Sequence, residues 1–337
     1  MENIISVIVT TYNQEYTIGR TLESILSQRC HLPIEIVIGE DGSTDNTRLL
    51  CEVYAQRYPH IIRLMPKAPN KGVVDNYFDC LLECKGKYIA DCAGDDFWID
   101  TEKLEKEVSI MEKDPSITIV HTNWQYYNEN NKTTSINKIQ PFPERITNGK
   151  KMLEAIITQT KAPVIHTCTS LYSAETIRKC YHKNTELFRN KDYGCEDVQL
   201  TFMLAYSGNV AFLPDVTLNY SIGHPSISAQ PDDKKQFKFV SQTANLSFVL
   251  AKKYNIDTPA THLFFTQKVF ALLMHAFRSK DKQLRDEALK YMIEWEVEPN
   301  HKINAARLIM SNGILWNITI ILRNLFAMRK TIANIFK

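Results

Sequence analysis

The sequence predicts an α/β protein: a mostly parallel sheet flanked by helices, followed by a helical C-terminal region. Three observations predict it. Short β-branched runs at 4–9, 34–38, 61–65 and 88–92 lack the alternation of a strand with one wet face, so they read as strands covered on both sides. A helical apolar pattern follows each of the first three, and strand-helix alternation at this spacing calls for right-handed crossovers and parallel pairing. Polar segments that can carry chemistry follow the strands, which places them on the carboxyl edge where open α/β sheets bind ligands.

In chain order, Ile4 to Val9 is the first strand, and the loop Thr10-Thr11-Tyr12-Asn13 leads into a helix whose Ile18, Leu22, Ile25 and Leu26 share one stripe. Ile34 to Ile38 is the second strand. Asp41-Gly42-Ser43-Thr44-Asp45 then supplies a turn and capping residues for a helix through Leu49, Leu50 and Val53. A third strand at Ile61 to Met65 precedes Asn70-Lys71-Gly72 and a helix through Tyr77, Leu81 and Leu82. The fourth strand, Tyr88 to Cys92, runs into Gly94-Asp95-Asp96-Phe97-Trp98. Beyond Asp114-Pro115 the alternation becomes irregular. A strand is expected at 117–122, an exposed hairpin or loop at 128–137, a helix after Gly194-Cys195-Glu196-Asp197, two strands at 210–213 and 216–220, and helices from about Asp232 onward.

Asp95 and Asp96 are the most informative pair. Two adjacent carboxylates at a buried strand end, with no neighbouring Lys or Arg in sequence, repel each other unless a cation intervenes. Hard divalent ions suit such oxygen ligands and leave room for substrate phosphates, so the pair points to a metal-diphosphate site, against the plainer reading of a solvated turn. Asp91 shares the strand end but would reach that site only through a bulge, and the expectation is that it does not.

Composition excludes little. Forty basic and 38 acidic residues give a net charge of +2, with no global signature of nucleic-acid binding. Eight cysteines without a C-x-x-C pair, and no apolar leader, point to free thiols in a reducing cytoplasm; Cys80 and Cys84 read as small buried residues. No run of 18 apolar residues marks a membrane span.

Taken together, Ser6-Val7-Ile8-Val9-Thr10-Thr11-Tyr12-Asn13, Glu40-Asp41-Gly42-Ser43-Thr44-Asp45, Asn70-Lys71-Gly72, Gly86-Lys87-Tyr88-Ile89-Ala90 with Gly94-Asp95-Asp96-Phe97-Trp98, and Glu196-Asp197 resemble the inverting GT-A-fold glycosyltransferases of family 2, in that family's order and spacing. The resemblance covers about 1–229, a nucleotide and metal half to about 125 and an acceptor half from about 126 to 229, with 230–337 as a separate helical region. It implies donor-nucleotide contacts from Thr10, Tyr12, Asp41, Lys71 and Asp95, a Mn²⁺ or Mg²⁺ ion on Asp96 with His224 as a further candidate, and Asp197 as catalytic base with Glu196 as its acidic neighbour. The plainer alternatives are that Asp41 shapes its turn, Lys71 is solvated, His224 is structural and Glu196-Asp197 caps the following helix. Two positions depart from the family pattern: Glu40 replaces an Asp, and Ala93 stands at the first acidic place of the metal motif.

The implied activity is transfer of a sugar from a nucleoside diphosphate, with UDP expected, to a hydroxyl of a glycan or lipid-linked acceptor in surface-glycan synthesis such as lipopolysaccharide or capsule. The rivals are a nucleotidyl or phosphoryl transferase on the same metal-diphosphate geometry, and a non-catalytic sugar-nucleotide-binding or scaffold protein, which Ala93 keeps open. In the tail, Ile314, Ile318, Ile321, Leu322, Leu325, Phe326, Met328, Ile332 and Phe336 share one helical face, with Arg323, Lys330, Asn334 and Lys337 on the other and only Arg329 intruding. Such a stripe fits either the inner face of a membrane, giving a cytoplasmic enzyme held peripherally, or a protein contact such as a homodimer.

Overall fold

The computed structural model describes residues 1–159, 162–224, 226 and 231–323. The chain forms two compact units, Met1–His224 and Pro225–Lys337. In the first, β1 (Glu2–Thr11), β2 (Ile34–Glu40), β3 (Ile62–Leu64) and β4 (Gly86–Asp91) alternate with α1 (Ile18–Leu26), α2 (Thr47–Arg57) and α3 (Val73–Glu83). These strands are parallel in the order β3-β2-β1-β4, with Ile5 opposite Ile34 and Tyr88. The absence of alternation has the expected cause: Ile5, Val7, Ile8 and Val9 are all essentially unexposed, because helices cover both faces.

The second half of this unit differs from the purely alternating pattern. After the two-residue β5 (Phe97–Trp98) and α4 (Lys103–Lys113) come β6 (Ile117–Asn128), β7 (Thr134–Ile136) and β8 (Ile146–Asn148); then α5 (Leu153–Ile157), β9 (Ser170–Ser173), α6 (Ala174–Lys183), α7 (Thr185–Arg189), α8 (Asp197–Ser207) and β10 (Asn209–Ile222). β9 inserts antiparallel between β4 and β6, and its four residues are too few and too mixed for any periodicity to announce it. β6 and β7 form the hairpin expected at 128–137.

The two strands anticipated at 210–213 and 216–220 are one 14-residue strand. Pro214 has no N–H to give the ladder, and the pairing with β6 shifts register between Leu213 and Leu218 rather than stopping there. Because β6 and β10 run parallel to β4, the C-terminal ends of β1, β2, β4 and β10 share one edge. The helix α8, which enters β10 from the opposite edge, must begin at that same edge.

The second unit is helical: α9 (Asp233–Lys253), α10 (Pro259–Ser279), α11 (Lys282–Glu294) and α12 (His301–Ser311), then a further run, Gly313–Arg323. Each start is written locally. The Asp232, Asp281 and Asn300 side chains accept two backbone N–H groups apiece, and Thr258 and Thr261 form a capping box with Pro259 at the first helical position. No single described helix is long and apolar enough to cross a membrane; His301–Ser311 and Gly313–Arg323 would pass together but are bent by 113°. In the last run Trp316 and Ile320 are buried, and the Trp316 indole N–H donates to the Phe277 carbonyl at 3.1 Å. The stripe read from the sequence faces the other way: Ile314, Ile318, Ile321 and Leu322 are all exposed. Its remainder, from Leu325 to Phe336, lies outside the described residues.

Candidate active site

Three loops converge at the carboxyl edge. The segment after β1 and the turn after β2 are joined by reciprocal bonds. The Asn13 N–H donates to Ser43 Oγ at 2.9 Å while Asn13 Oδ1 accepts the Thr44 N–H at 2.9 Å. Likewise the Glu15 N–H donates to Asp45 Oδ2 at 3.2 Å and Glu15 Oε2 accepts the Asn46 N–H at 3.1 Å. Asn13 adopts φ +53°, a conformation asparagine tolerates better than most residues. Thr10 and Tyr12 flank this staple; the Thr10 carbonyl accepts the Gly94 N–H at 3.0 Å, and the Tyr12 ring is nearly half exposed at 46%. At Gly94 a Cβ would come within 2.5 Å of Gln14 Oε1, so only glycine lets the β4 turn close onto the β1 loop.

Asp41 is 5% exposed, and its two carboxylate oxygens accept the backbone N–H groups of Lys71 and Gly72 at 2.9 and 3.0 Å. Its evident work is to tie the β3–α3 loop to the end of β2. It is not the cap of α2, whose first turn is held by Asp45 Oδ1 accepting the Thr47 N–H. Lys71 points its ammonium at Asp79, 2.5 Å away on α3, so its charge is already met within that loop and helix. The Asp79 carboxyl, though burial opposes it, is held below its ordinary range by Lys71 and Arg189.

The Asp95-Asp96 pair is asymmetric. The Asp96 side chain is buried, at 1% exposure, and its Oδ1 accepts the Ser221 backbone N–H at 2.9 Å, which stitches the turn to β10. The Asp95 carboxylate is one-fifth exposed and lies 3.5 Å from His224 Nε2, just past the end of β10. Burial raises the pKa of both, and the Asp95 charge raises that of Asp96 further; His224 pulls Asp95 the other way. The sequence reading gave the direct metal contact to Asp96. In the structure that carboxylate is buried against the Ser221 N–H, and it is Asp95 that keeps partial exposure and faces His224.

Arg20, on α1, braces this turn, and nothing in its local sequence singles it out. Its guanidinium donates to the Asp95 carbonyl at 3.1 Å, pairs with Glu129 at 2.6 Å and lies 4.0 Å from the Phe97 ring centroid. Ser221 Oγ completes the brace by donating to the same Asp95 carbonyl at 2.6 Å. Asp91 is 5% exposed and stays out of the crevice: Tyr77 and Tyr172 hydroxyls donate to it at 3.0 Å, and burial pushes its carboxyl up to about 7. Trp98 belongs to the core, its indole N–H donating to the Cys168 carbonyl at 2.8 Å.

Glu196 and Asp197 stand at the start of α8, on the same edge. Glu196 occupies the N-cap position, yet its side chain makes no capping bond, so capping alone does not account for the pair. Burial and then the Asp197 charge push the Glu196 carboxyl up to about 8, and Asp91 adds to this, which places the pair near the end of β4. Burial also raises Asp197, against the Cys195 thiol and the Val198 N–H that favour its charge. Asp197 Oδ1 is buried with no hydrogen-bond partner among the described residues. A buried carboxylate oxygen left without a donor is costly, and such atoms concentrate where a substrate group completes the bond.

The family model described as glycosyl transferase family 2 matches residues 6–180. Among curated relatives, the Escherichia coli UDP-Glc:alpha-D-GlcNAc-diphosphoundecaprenol beta-1,3-glucosyltransferase WfgD is 31% identical over 147 residues, 44% of this chain and 54% of that one. The chain spans between about a third and about half of the length of the first curated relatives it matches. Two solved structures share the fold: Staphylococcus aureus TarS 1–349 in complex with UDP-GlcNAc (16% identity, TM-score 0.52, 88% of this chain and 93% of that one), and the Pyrobaculum calidifontis mannosyltransferase PcManGT in complex with GDP-Man and Mn²⁺ (15% identity, TM-score 0.53, 95% and 88%).

Proposed function

The chain belongs to glycosyl transferase family 2, and from that premise we propose that it is a metal-dependent, inverting glycosyltransferase using a nucleoside diphosphate sugar, with UDP as the nucleotide. One observation carries the reading: a single sheet edge bears two acidic pairs in different states, Asp95 facing an imidazole and Asp197 with an oxygen unpartnered among the described residues. The donor set fits a divalent cation. Asp95 offers a partly exposed carboxylate and His224 a nitrogen, a combination that suits Mn²⁺ better than Mg²⁺. Such an ion supplies Lewis-acid stabilisation of the negative charge that builds on the departing diphosphate. PcManGT, which shares the fold, was solved with Mn²⁺.

Asp197 would accept the proton of the acceptor hydroxyl as that oxygen bonds to the anomeric carbon and the carbon–oxygen bond to the diphosphate breaks on the opposite face. One displacement inverts the anomeric configuration. Burial that raises Asp197 also makes it a stronger base once ionised. The half-exposed Tyr12 ring would stack on a nucleobase, and Asp41, which orders the β3–α3 loop with two backbone bonds, keeps lone pairs for a base N–H.

The acceptor we propose is a lipid-linked glycan in surface-polysaccharide synthesis, met at the inner face of a membrane. WfgD is named for a diphosphoundecaprenol-linked acceptor, and residues 299–337 here carry six Lys or Arg and no Asp or Glu beside the exposed apolar stripe. The test is a panel of nucleotide sugars, with and without Mn²⁺, read for donor hydrolysis and for transfer to an undecaprenyl-diphosphate sugar. Metal-stimulated turnover of a UDP-sugar with inverted product is expected. Absence of nucleotide-sugar binding would leave a scaffold protein, and nucleotidyl transfer indifferent to Asp197→Asn would leave the other rival.

A further inference from the structure

A second constellation lies at the opposite edge of the sheet, in the loop that enters β2. Cys30, His31 and Glu105 present one ligand atom each, all within 4.8 Å of one another. His31 Nδ1 is 2.8 Å from Glu105 Oε2, and its other ring nitrogen, Nε2, faces Glu112 Oε2 at 3.3 Å. Glu105 and Glu112 stand two turns apart on one face of α4. The loop is fixed to the start of that helix by three further bonds: the Arg29 N–H to the Thr101 carbonyl at 2.8 Å, Gln28 Nε2 to the Asp100 carbonyl at 2.7 Å, and the Leu104 N–H to Gln28 Oε1 at 3.1 Å.

We propose that Cys30 Sγ, His31 Nδ1 and a Glu105 carboxylate oxygen form a zinc site, with Glu112 holding the imidazole through Nε2–H and water in the fourth position. The ligand types are those zinc takes, and tetrahedral bonds of about 2.0–2.3 Å separate ligand atoms by roughly 3.3–3.7 Å, a small adjustment from the spacing here. The Glu112 contact is the second observation. A metal-bound histidine nearly always gives its remaining ring N–H to a carboxylate or carbonyl, which fixes ring orientation and tautomer, and Glu112 stands where that partner belongs. Binding displaces the Cys30 proton to solvent, since the thiolate is the ligand. The ion would clip the α1–β2 loop to α4 and take no part in the chemistry at the other edge.

Two cations can bind this protein on our reading, so the experiment must tell the sites apart. Metal-free full-length chain is titrated with Co²⁺, then Zn²⁺, following the near-ultraviolet sulfur-to-cobalt charge-transfer band that only a thiolate ligand produces. The wild type should develop the band at one equivalent and lose it to Zn²⁺, and Asp95→Asn should behave alike. Cys30→Ser and Glu105→Gln should each abolish it, while Glu112→Gln should keep it with roughly 10- to 100-fold weaker affinity. A wild type that folds, by its cooperative thermal transition, yet shows no sulfur band would overturn the site and leave an imidazolium bridging two glutamates. Zn²⁺ affinity unchanged in both Cys30→Ser and Glu105→Gln would overturn it equally.

Discussion

The two acidic pairs at the carboxyl edge look alike in sequence and differ in how the fold treats them. Asp95 and Asp96 are braced from several sides: Arg20 and Ser221 hold the Asp95 carbonyl, the Ser221 N–H holds the Asp96 carboxylate, and His224 faces the partly exposed Asp95 carboxylate. Glu196 and Asp197 have far less. Their helix goes uncapped by side chains, and one Asp197 oxygen meets no donor among the described residues. Adjacent carboxylates thus carry no role of their own. On the proposed reading, the pair held by surrounding donors serves a cation, whereas the pair with fewer donors serves, once Asp197 is ionised, as proton acceptor.

The sharpest way to break this contrast is to neutralise each pair in turn. Asp197→Asn should lower transfer by roughly 10²–10⁴-fold, the usual worth of a positioned general base, and leave UDP affinity by calorimetry nearly unchanged. Loss of UDP binding in that variant would erase the distinction between the pairs. Asp95→Asn should do the reverse, removing most of the Mn²⁺-dependent gain in UDP affinity, at least about tenfold, with little change in metal-free binding. Were Asp96→Asn to remove that gain while Asp95→Asn kept it, the outward and inward roles would have to be exchanged.

Smaller effects sharpen the picture. Asp96→Ala leaves the buried Ser221 N–H without its acceptor and should destabilise the protein by about 1–3 kcal/mol in urea unfolding, whereas Asp96→Asn, which keeps an acceptor, should cost less. The pH dependence should separate the pairs again. Glu196 is held protonated up to about 8 in the folded protein, against 4.5 ordinarily, so between those values the folded state binds the extra proton. Stability should therefore fall as pH rises through that window, and Glu196→Gln should flatten the slope. An unchanged slope would mean that Glu196 ionises normally.

Much of the first half of the catalytic unit was legible because its signals are local. Uninterrupted β-branched runs, helical stripes and capping turns each fix one element, and the order of strands then puts Thr10, Asp41 and Asp95 on one edge. What was not legible depends on partners distant in sequence. Arg20 has no local mark that distinguishes it from a solvated helix residue, and Ser221 and Glu129, its partners, are more than 100 positions away. Which carboxylate of 95 and 96 faces out is decided by one N–H on β10, and the short β9 is a strand only because β4 and β6 lie on either side of it. In the tail, periodicity found the apolar stripe but not its direction, since Trp316 and Ile320 on the adjoining face take the buried side.

The staple between Asn13, Glu15 and the turn Ser43 to Asn46 has a thermodynamic consequence. Two loops that would otherwise have to be ordered around a nucleotide are already ordered by bonds to each other. The loss of backbone and side-chain freedom that accompanies ligand capture in flexible loops was incurred when the chain folded. Nucleotide association should accordingly show a modest entropic penalty and a heat-capacity change no larger than the covered base surface requires.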